Sequence, residues 1–242
     1  MTAPLGTRYN AKTHVGLVRQ VNEDSILALP EQGIWLVSDG MGGHHGGDFA
    51  SQTIAGAVSA LTPDLSPREL MQGVRSAIGH AHTQIVEEAT RIGADTMGAT
   101  VVALILTDGH FVAFWAGDSR LYRLRDGLIE MLSTDHSVVA SLVMSGQLTW
   151  DEAEHHPQSN AITRAVGVGD EIELDKIRGT IEPGDRFLLC SDGLTKYADM
   201  RTLEKVLASE PIETVSERLL EIAIAGGAAD NVSIIVVDPP AS

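Results

Sequence analysis

Two aspartates in this 242-residue sequence follow apolar runs of the same kind, and both runs break off in Ser-Asp-Gly. Residues 34–40 (IWLVSDG) carry Asp39, and residues 187–193 (FLLCSDG) carry Asp192. Each run is short and apolar, as in a buried β-strand, so each strand should deliver one carboxylate into the loop at its end. A single Asp-Gly is more often only a turn signal. Its recurrence after two core strands favours a functional role for both aspartates.

Further acidic residues stand at other predicted strand boundaries: Glu23, Asp24, Asp95, Asp118 and Asp230. Mg²⁺ and Mn²⁺ prefer oxygen ligands, and placing two ions in one site demands convergent or bridging carboxylates. Two ions about 4 Å apart can activate a water between them and stabilise an in-line displacement at phosphorus. Asp39 is the natural bridging ligand. The sequence contains neither an HExxH or paired-cysteine zinc motif nor an EF-hand loop.

A cation, Arg19, lies three residues before Asn22-Glu23-Asp24. A planar guanidinium suits bidentate recognition of phosphate, so Arg19 is the predicted phosphate-binding residue. Arg164 is a second cation, and two interpretations of it are open: a brace for a mobile flap, or a surface salt bridge. The carboxylates and Arg19 together predict hydrolysis of a phosphate ester.

The elements that position these residues follow from periodicity and turn signals. Strands are predicted within the first 40 residues, and helices over 49–61 and from the capping box at Ser66 and Glu69 to Gly93. Hairpins should turn at Asp108-Gly109 and Asp126-Gly127. The later elements are a short helix at 138–144, strands at 173–181 and 186–191, a helix at 212–225 and a strand at 232–237. Helices between antiparallel hairpins favour sheets covered by helices.

Composition narrows the class of protein. With 43% hydrophobic residues the chain can bury a sizeable core, and we expect one domain over residues 1–242 with a flap at 136–164. The net charge of −16 argues against nucleic-acid and anionic-membrane binding. No segment approaches the roughly 20 apolar residues of a membrane helix and no signal peptide is recognisable, so we expect a cytoplasmic protein. The lone Cys190 is predicted to be a small buried hydrophobe.

Several of these residues belong to motifs whose order resembles that of bacterial metal-dependent Ser/Thr protein phosphatases of the PPM/PP2C family. The motifs are Arg19-x-x-Asn22-Glu23-Asp24, Asp39-Gly40-Met41-Gly42-Gly43, Asp118-Ser119-Arg120, Ser191-Asp192-Gly193 and Asp230-Asn231. Each motif alone is weak, but their ordered combination is specific, and the resemblance spans roughly residues 8–237. It implies an α+β fold with a central β-sandwich of two antiparallel sheets flanked by helices.

The resemblance also implies roles for individual residues. Asp39 would bridge two Mn²⁺ or Mg²⁺ ions and orient the attacking water, with a Gly40 carbonyl on one ion. Asp192 and Asp230 would bind the other ion, Glu23 and Asp24 would hold metal-bound waters, and Arg19 would bind phosphate. Asp95 matches the aspartate of a third metal. The expected partners are proteins phosphorylated on Ser or Thr and a cognate bacterial Ser/Thr kinase, and the expected state is a monomer.

Two roles have more than one interpretation, that of the general acid and that of Asp118. Many eukaryotic members have histidine directly after the first Asp-Gly, as a candidate general acid, but this chain has Met41 there. Either His44 protonates the leaving group through water, or a metal-bound water does so and His44 is a solvated loop residue. Asp118 could bind metal directly, although the resemblance makes it supporting, with Arg120 as its expected partner.

Two rival functions are open at this stage. One is a phosphodiesterase or nuclease that uses similar carboxylates, against which the acidic net charge counts. The other is a pseudophosphatase that only binds phosphoproteins, against which the retention of Asp39, Asp192 and Asp230 counts. Free-standing phosphatases of this kind resemble those that oppose kinases in bacterial signalling, including control of type VI secretion.

Overall fold

The computed structural model describes residues 6–42, 46–107, 109–149, 152, 156–158 and 161–240. Most strands of these segments form two antiparallel sheets. In spatial order, one sheet contains β1 (Arg8–His14), β11 (Val232–Asp238), β10 (Arg186–Cys190), β7 (Arg120–Arg125) and β8 (Leu128–Met131). The other contains β2 (Asp24–Leu29), β3 (Ile34–Met41), β5 (Val101–Thr107), β6 (His110–Ala116) and β9 (Asp175–Thr180), and β4 (Gly98–Ala99) pairs with β3.

Helices cover the outer face of each sheet. The helices of the described segments are α1 (Gly46–Ser59), α2 (Pro67–Ile92), α3 (Val138–Met144), α4 (Asp192–Thr195), α5 (Met200–Ser209) and α6 (Val215–Gly226), and a 3₁₀ turn spans Pro30–Gln32. All of these helices except α3 contribute to the cores on the outer faces. The longest helix, α2, begins with the predicted capping box, in which the Ser66 side chain and Glu69 bond each other's backbone N–H groups. It ends at Gly93, which takes the left-handed conformation expected there.

Three apolar cores separate four layers. One core lies between α1, α2 and the β3-containing sheet, and another lies between α4, α5, α6 and the β10-containing sheet. The third lies between the two sheets. Strand β3 shows how alternation builds the layers, since Ile34 and Leu36 belong to the helix-side core whereas Trp35 and Val37 belong to the core between the sheets.

This architecture confirms the predicted α+β sandwich flanked by helices. The predicted pairings of β5 with β6 and of β7 with β8 are present, and α3 has the predicted bounds. Cys190 is fully buried on β10 as expected, and burial raises the pKa of its thiol to about 12. Within the described ranges, no helix is both long enough and apolar enough to cross a bilayer.

Candidate metal centre

Two of the predicted site residues are direct neighbours across a β-ladder. Asp24 begins β2 and Asp39 lies near the end of β3, and the antiparallel register places the two residues opposite each other. Cβ atoms of such a pair are about 4.5–5.5 Å apart, so the two carboxylates share one end of the sheet. Asp39 is held there through its backbone, because its N–H donates to Thr100 Oγ1 over 3.0 Å and its carbonyl accepts from Thr100 N over 2.8 Å.

The other sheet brings two further aspartates to the same end. Asp192 follows β10 as the first residue of α4, and Asp230 lies two residues before β11, which pairs with β10. The two sheets meet through Ser191, whose hydroxyl donates to Asp24 Oδ2 over 2.9 Å and accepts from Ser233 N over 3.0 Å. The predicted ligands Asp39, Asp192 and Asp230 therefore come together from both layers of the sandwich.

Burial and mutual repulsion disfavour ionisation of the two carboxyl groups that face each other across the ladder, those of Asp24 and Asp39. The pKa of Asp39 is raised well above its ordinary range, first by burial and then by the charge of Asp24 and Asp192. Burial is also the main reason that the pKa of Asp24 is raised to about 6, although hydrogen bonds from serines oppose it. Buried like charges of this kind mark a site that is built to receive positive charge.

Two buried carboxylate oxygens in this cluster make no hydrogen bond, namely Asp24 Oδ1 and Asp192 Oδ1. A buried acceptor without a partner is costly, and oxygen donors are what Mg²⁺ and Mn²⁺ prefer. In donor chemistry and charge the residues present therefore fit such ions. In the part of the chain that the structure describes, however, no three His, Cys, Asp or Glu side chains already surround a single point as ligands.

Two cations contact carboxylate oxygens of Asp192 and Asp230. The Arg19 guanidinium grips Asp230, with Nε 2.9 Å from Oδ1 and Nη2 3.0 Å from Oδ2. Lys196 Nζ lies 2.7 Å from Asp192 Oδ2 and 3.5 Å from Asp230 Oδ2. Burial lowers the pKa of Lys196, but the two aspartates raise it by more, so its net shift is upward. Arg19 was predicted at the site, whereas Lys196 was not.

Glu23 and Gly40 lie where the entry to α1 touches the site. The Gly40 N–H donates to the Glu23 carbonyl over 3.2 Å, and the Gly47 N–H bonds the Glu23 carboxylate. A Cβ atom at Gly40 would collide with the main chain of both Gly47 and Glu23. Only glycine fits at this position, because the main chain of Gly40 packs directly against that of Gly47 and Glu23.

Asn231 is a supporting residue to which sequence reasoning assigned no role. It is buried, and its side-chain oxygen accepts from the Glu23 N–H over 2.8 Å. Its amide group donates to the carbonyls of Val15 and Val21 over 2.9 and 3.0 Å. Asn231 therefore fixes the segment that carries Arg19 and Glu23 to the strand that follows Asp230.

Comparison with known proteins agrees with this geometry. Residues 15–223 match the family described as protein phosphatase 2C. The chain belongs to this family. The serine/threonine protein phosphatase PstP of Mycobacterium tuberculosis is 35% identical over 232 residues, which are 96% of this chain and 45% of that protein. This member of the protein phosphatase 2C family thus spans less than half the length of that curated relative.

Two solved structures resemble this protein phosphatase 2C along most of its length. PppA, described as a key regulatory component of the T6SS in Pseudomonas aeruginosa, is 39% identical with a TM-score of 0.89, covering 97% of this chain and 98% of that one. The catalytic domain of PstP, solved in complex with two manganese ions, is 33% identical with a TM-score of 0.87, covering 96% and 97%. Manganese therefore binds a relative with the same fold.

Asp95 and Asp118 occupy different positions relative to this phosphatase 2C centre. Asp118 interacts with Asp192, and burial together with that charge raises the pKa of Asp118 to about 7. Asp95 is exposed between α2 and β4, and no hydrogen bond or ion pair of the described residues joins it to the cluster. Arg120 acts on Asp118 through its charge alone, because its guanidinium forms a bidentate ion pair with Asp135 at 2.6 Å. That partner lies 15 residues away in a loop, beyond the reach of a local pattern.

The segment 136–164 is tied at its start to the loop of Asp118, and its two ends are tied to each other. His136 N donates to the Gly117 carbonyl over 2.9 Å, and Thr163 N donates to the His136 carbonyl over 2.7 Å. Arg164 forms an ion pair with Asp175 at 2.6 Å and also contacts the His136 ring. Its two interpretations therefore coincide, because this salt bridge braces the segment. His44, the predicted proton donor, lies outside the described residues.

Proposed function

We propose that this chain is a metal-dependent phosphatase that hydrolyses phosphoserine and phosphothreonine in proteins. The observation that carries the proposal is the convergence of Asp39, Asp192 and Asp230 from two sheets, with Arg19 at the same site. Membership of the protein phosphatase 2C family supports it, as do the named activities of relatives. The acidic composition of the chain counts against the rival function of a phosphodiesterase or nuclease.

Each predicted residue has a distinct task in this proposal. Bound Mn²⁺ or Mg²⁺ would supply the charge that lowers the pKa of an attacking water and neutralises phosphoryl oxygens. Asp39 would bridge two ions with the Gly40 carbonyl on one, and Asp192 and Asp230 would hold the other. Glu23 and Asp24 would hold these ions through water rather than by direct contact.

Arg19 is the phosphate-binding residue of the proposal. Its side chain is 51% exposed, so the guanidinium can turn from Asp230 towards a substrate at the mouth of the site. A phosphoryl group offers the same pair of acceptor oxygens that Asp230 offers now, and the exchange keeps both guanidinium hydrogen bonds. The leaving alkoxide takes its proton from His44 or from water.

A third, weaker ion would share Asp192 with one more carboxylate. Asp95 was the residue expected from the sequence, but the interaction between Asp118 and Asp192 makes Asp118 the better supported ligand. Because Asp118 follows the Gly117 carbonyl that holds His136, a third ion would lie next to the base of the proposed flap at 136–164.

The biological setting is also a proposal. Similarity to PppA and to PstP supports a role opposite a bacterial Ser/Thr kinase, including one that controls type VI secretion. A monomeric, cytoplasmic protein whose residues 1–242 form one domain remains the prediction of the sequence.

The test is turnover of a phosphothreonine peptide by metal-stripped protein. We expect no phosphate release in EDTA, recovery on adding MnCl₂ or MgCl₂, and no hydrolysis of a phosphodiester. Asp39→Asn should abolish turnover, and Asp126→Asn, in the exposed β7–β8 turn, is the matched control that keeps it. Full turnover in EDTA would refute metal dependence, and peptide binding without turnover under every metal condition would favour a pseudophosphatase.

A further inference from the structure

Lys196 is a cation inside the candidate metal centre. It lies just after α4, one helical turn beyond Asp192, and this i,i+4 spacing directs its side chain back to that carboxylate. Its Nζ contacts Asp192 at 2.7 Å and reaches Asp230 at 3.5 Å, so one ammonium group bridges two predicted ligands of one metal ion. Only 32% of the side chain is exposed.

An ammonium group and a divalent ion make competing demands on these oxygens. Lys196 uses Asp192 Oδ2 and leaves the buried Asp192 Oδ1 without a partner. Asp230 already forms an ion pair with Arg19, so Asp192 and Asp230 together interact with two positively charged side chains of the protein itself. A metal ion brought to Asp192 and Asp230 is repelled by Lys196 at close range, where screening by water is incomplete.

We propose that Lys196 competes with metal for Asp192 and Asp230, so that it stabilises the metal-free protein and weakens binding of the ion held by these two aspartates. The flexible four-carbon stem of lysine lets the ammonium group withdraw into solvent when an ion binds. Lys196 is then a positioning residue that sets how much free metal the protein needs before the site is filled.

The opposite role is physically possible and makes the opposite prediction. A side chain that orients a metal ligand usually strengthens metal binding, and its removal weakens affinity by about 10- to 100-fold. If Lys196 competes with the metal ion, removal of its side chain must strengthen metal binding. The inference rests on the proposed metal site, but the sign of this one change separates the two roles.

The experiment is calorimetric titration of metal-stripped, full-length protein with MnCl₂. We expect Lys196→Met to tighten the dissociation constant of one ion by about tenfold, equivalent to about 1.4 kcal/mol. Lys196→Arg keeps the charge and should stay within about threefold of wild type. The matched control is Lys205→Met on the exposed face of α5, which changes the net charge equally and should leave affinity unchanged.

Thermal unfolding gives a second readout that does not depend on activity. In EDTA, Lys196→Met should unfold at a lower temperature than wild type, because the carboxylates lose their counter-charge. In saturating MnCl₂ the two should unfold at similar temperatures. Unchanged or weaker Mn²⁺ binding by Lys196→Met would overturn the inference, as would equal tightening by Lys205→Met. Failure of wild-type protein to bind Mn²⁺ would overturn the proposed metal site as well.

Discussion

Removing the side chain of Asn231 should loosen one edge of the metal centre while the core strands stay packed. Asn231→Ala deletes three hydrogen bonds to the main chain, one from Glu23 N and two to the carbonyls of Val15 and Val21. At about 1 kcal/mol net for each bond, the loss is roughly 3 kcal/mol. For a chain of this size, about 2–4 °C per kcal/mol gives a fall of roughly 6–12 °C in Tm.

The same change should reduce catalysis, because the freed segment carries both Arg19 and Glu23. The measurements are scanning calorimetry in EDTA and kcat/KM on a phosphothreonine peptide in MnCl₂. Asn10→Ala is the matched control, since the Asn10 side chain also bonds the main chain, at Glu213 O and Ser216 N, but on the α6 side.

Asn10→Ala should lower Tm by less, because it deletes two longer bonds, of 3.1 and 3.3 Å, and should leave kcat/KM unchanged. An unchanged Tm in Asn231→Ala would refute the energetic reasoning. A lower Tm with wild-type kcat/KM would refute the view that Asn231 positions catalytic groups.

The other predictions concern charge and space in the centre. In EDTA, Tm should fall as pH rises from about 6.5 to 8. Burial raises the pKa of Asp39 and brings that of Asp118 to about 7, so the native state binds protons that the unfolded chain has released. A Tm that stays constant or rises over this pH range contradicts the prediction. In Mn²⁺-soaked crystals, Asp118→Asn should lose the weakest anomalous peak and Asp95→Asn should keep it; the reverse result would restore Asp95 as the third ligand. Gly40→Ala should bind Mn²⁺ poorly, because the added Cβ collides with main chain. Gly79→Ala has open space on α2, so its free energy of unfolding should rise by about 0.5–1 kcal/mol. Normal Mn²⁺ binding by Gly40→Ala would contradict the packing argument.

Much of the fold was predictable because its signals are local. The capping box of Ser66 and Glu69, the left-handed Gly93 and the turn at Asp126-Gly127 each depend on a few adjacent residues. The predicted helix at 212–225 begins instead at Val215. The pairing of β1 with β11 joins the two ends of the described chain, and no local pattern specifies such a contact.

Some residues of the candidate site were likewise predictable from local sequence signals, and others were not. Asp39 and Asp192 were found because each follows an apolar run, but neither lies in a loop as expected, since Asp39 lies within β3 and Asp192 begins α4. The structure brings both together with Asp230. Asn231 and Lys196 were not found, because their partners are set by how the two sheets face each other. The spacing of Lys196 four residues after Asp192 was an available signal, since such pairs meet on one helix face.

The split of the aspartates between the two sheets has a consequence for the lifetime of the protein in a cell. In the proposed centre, an ion held by Asp39 on one sheet and Asp192 on the other would be bound only while both layers stay together. Metal at 100 times its dissociation constant then adds about 2.7 kcal/mol to the free energy of unfolding. Metal starvation should therefore raise the unfolded fraction of the protein, so that manganese or magnesium supply would affect its resistance to proteases as well as its proposed activity.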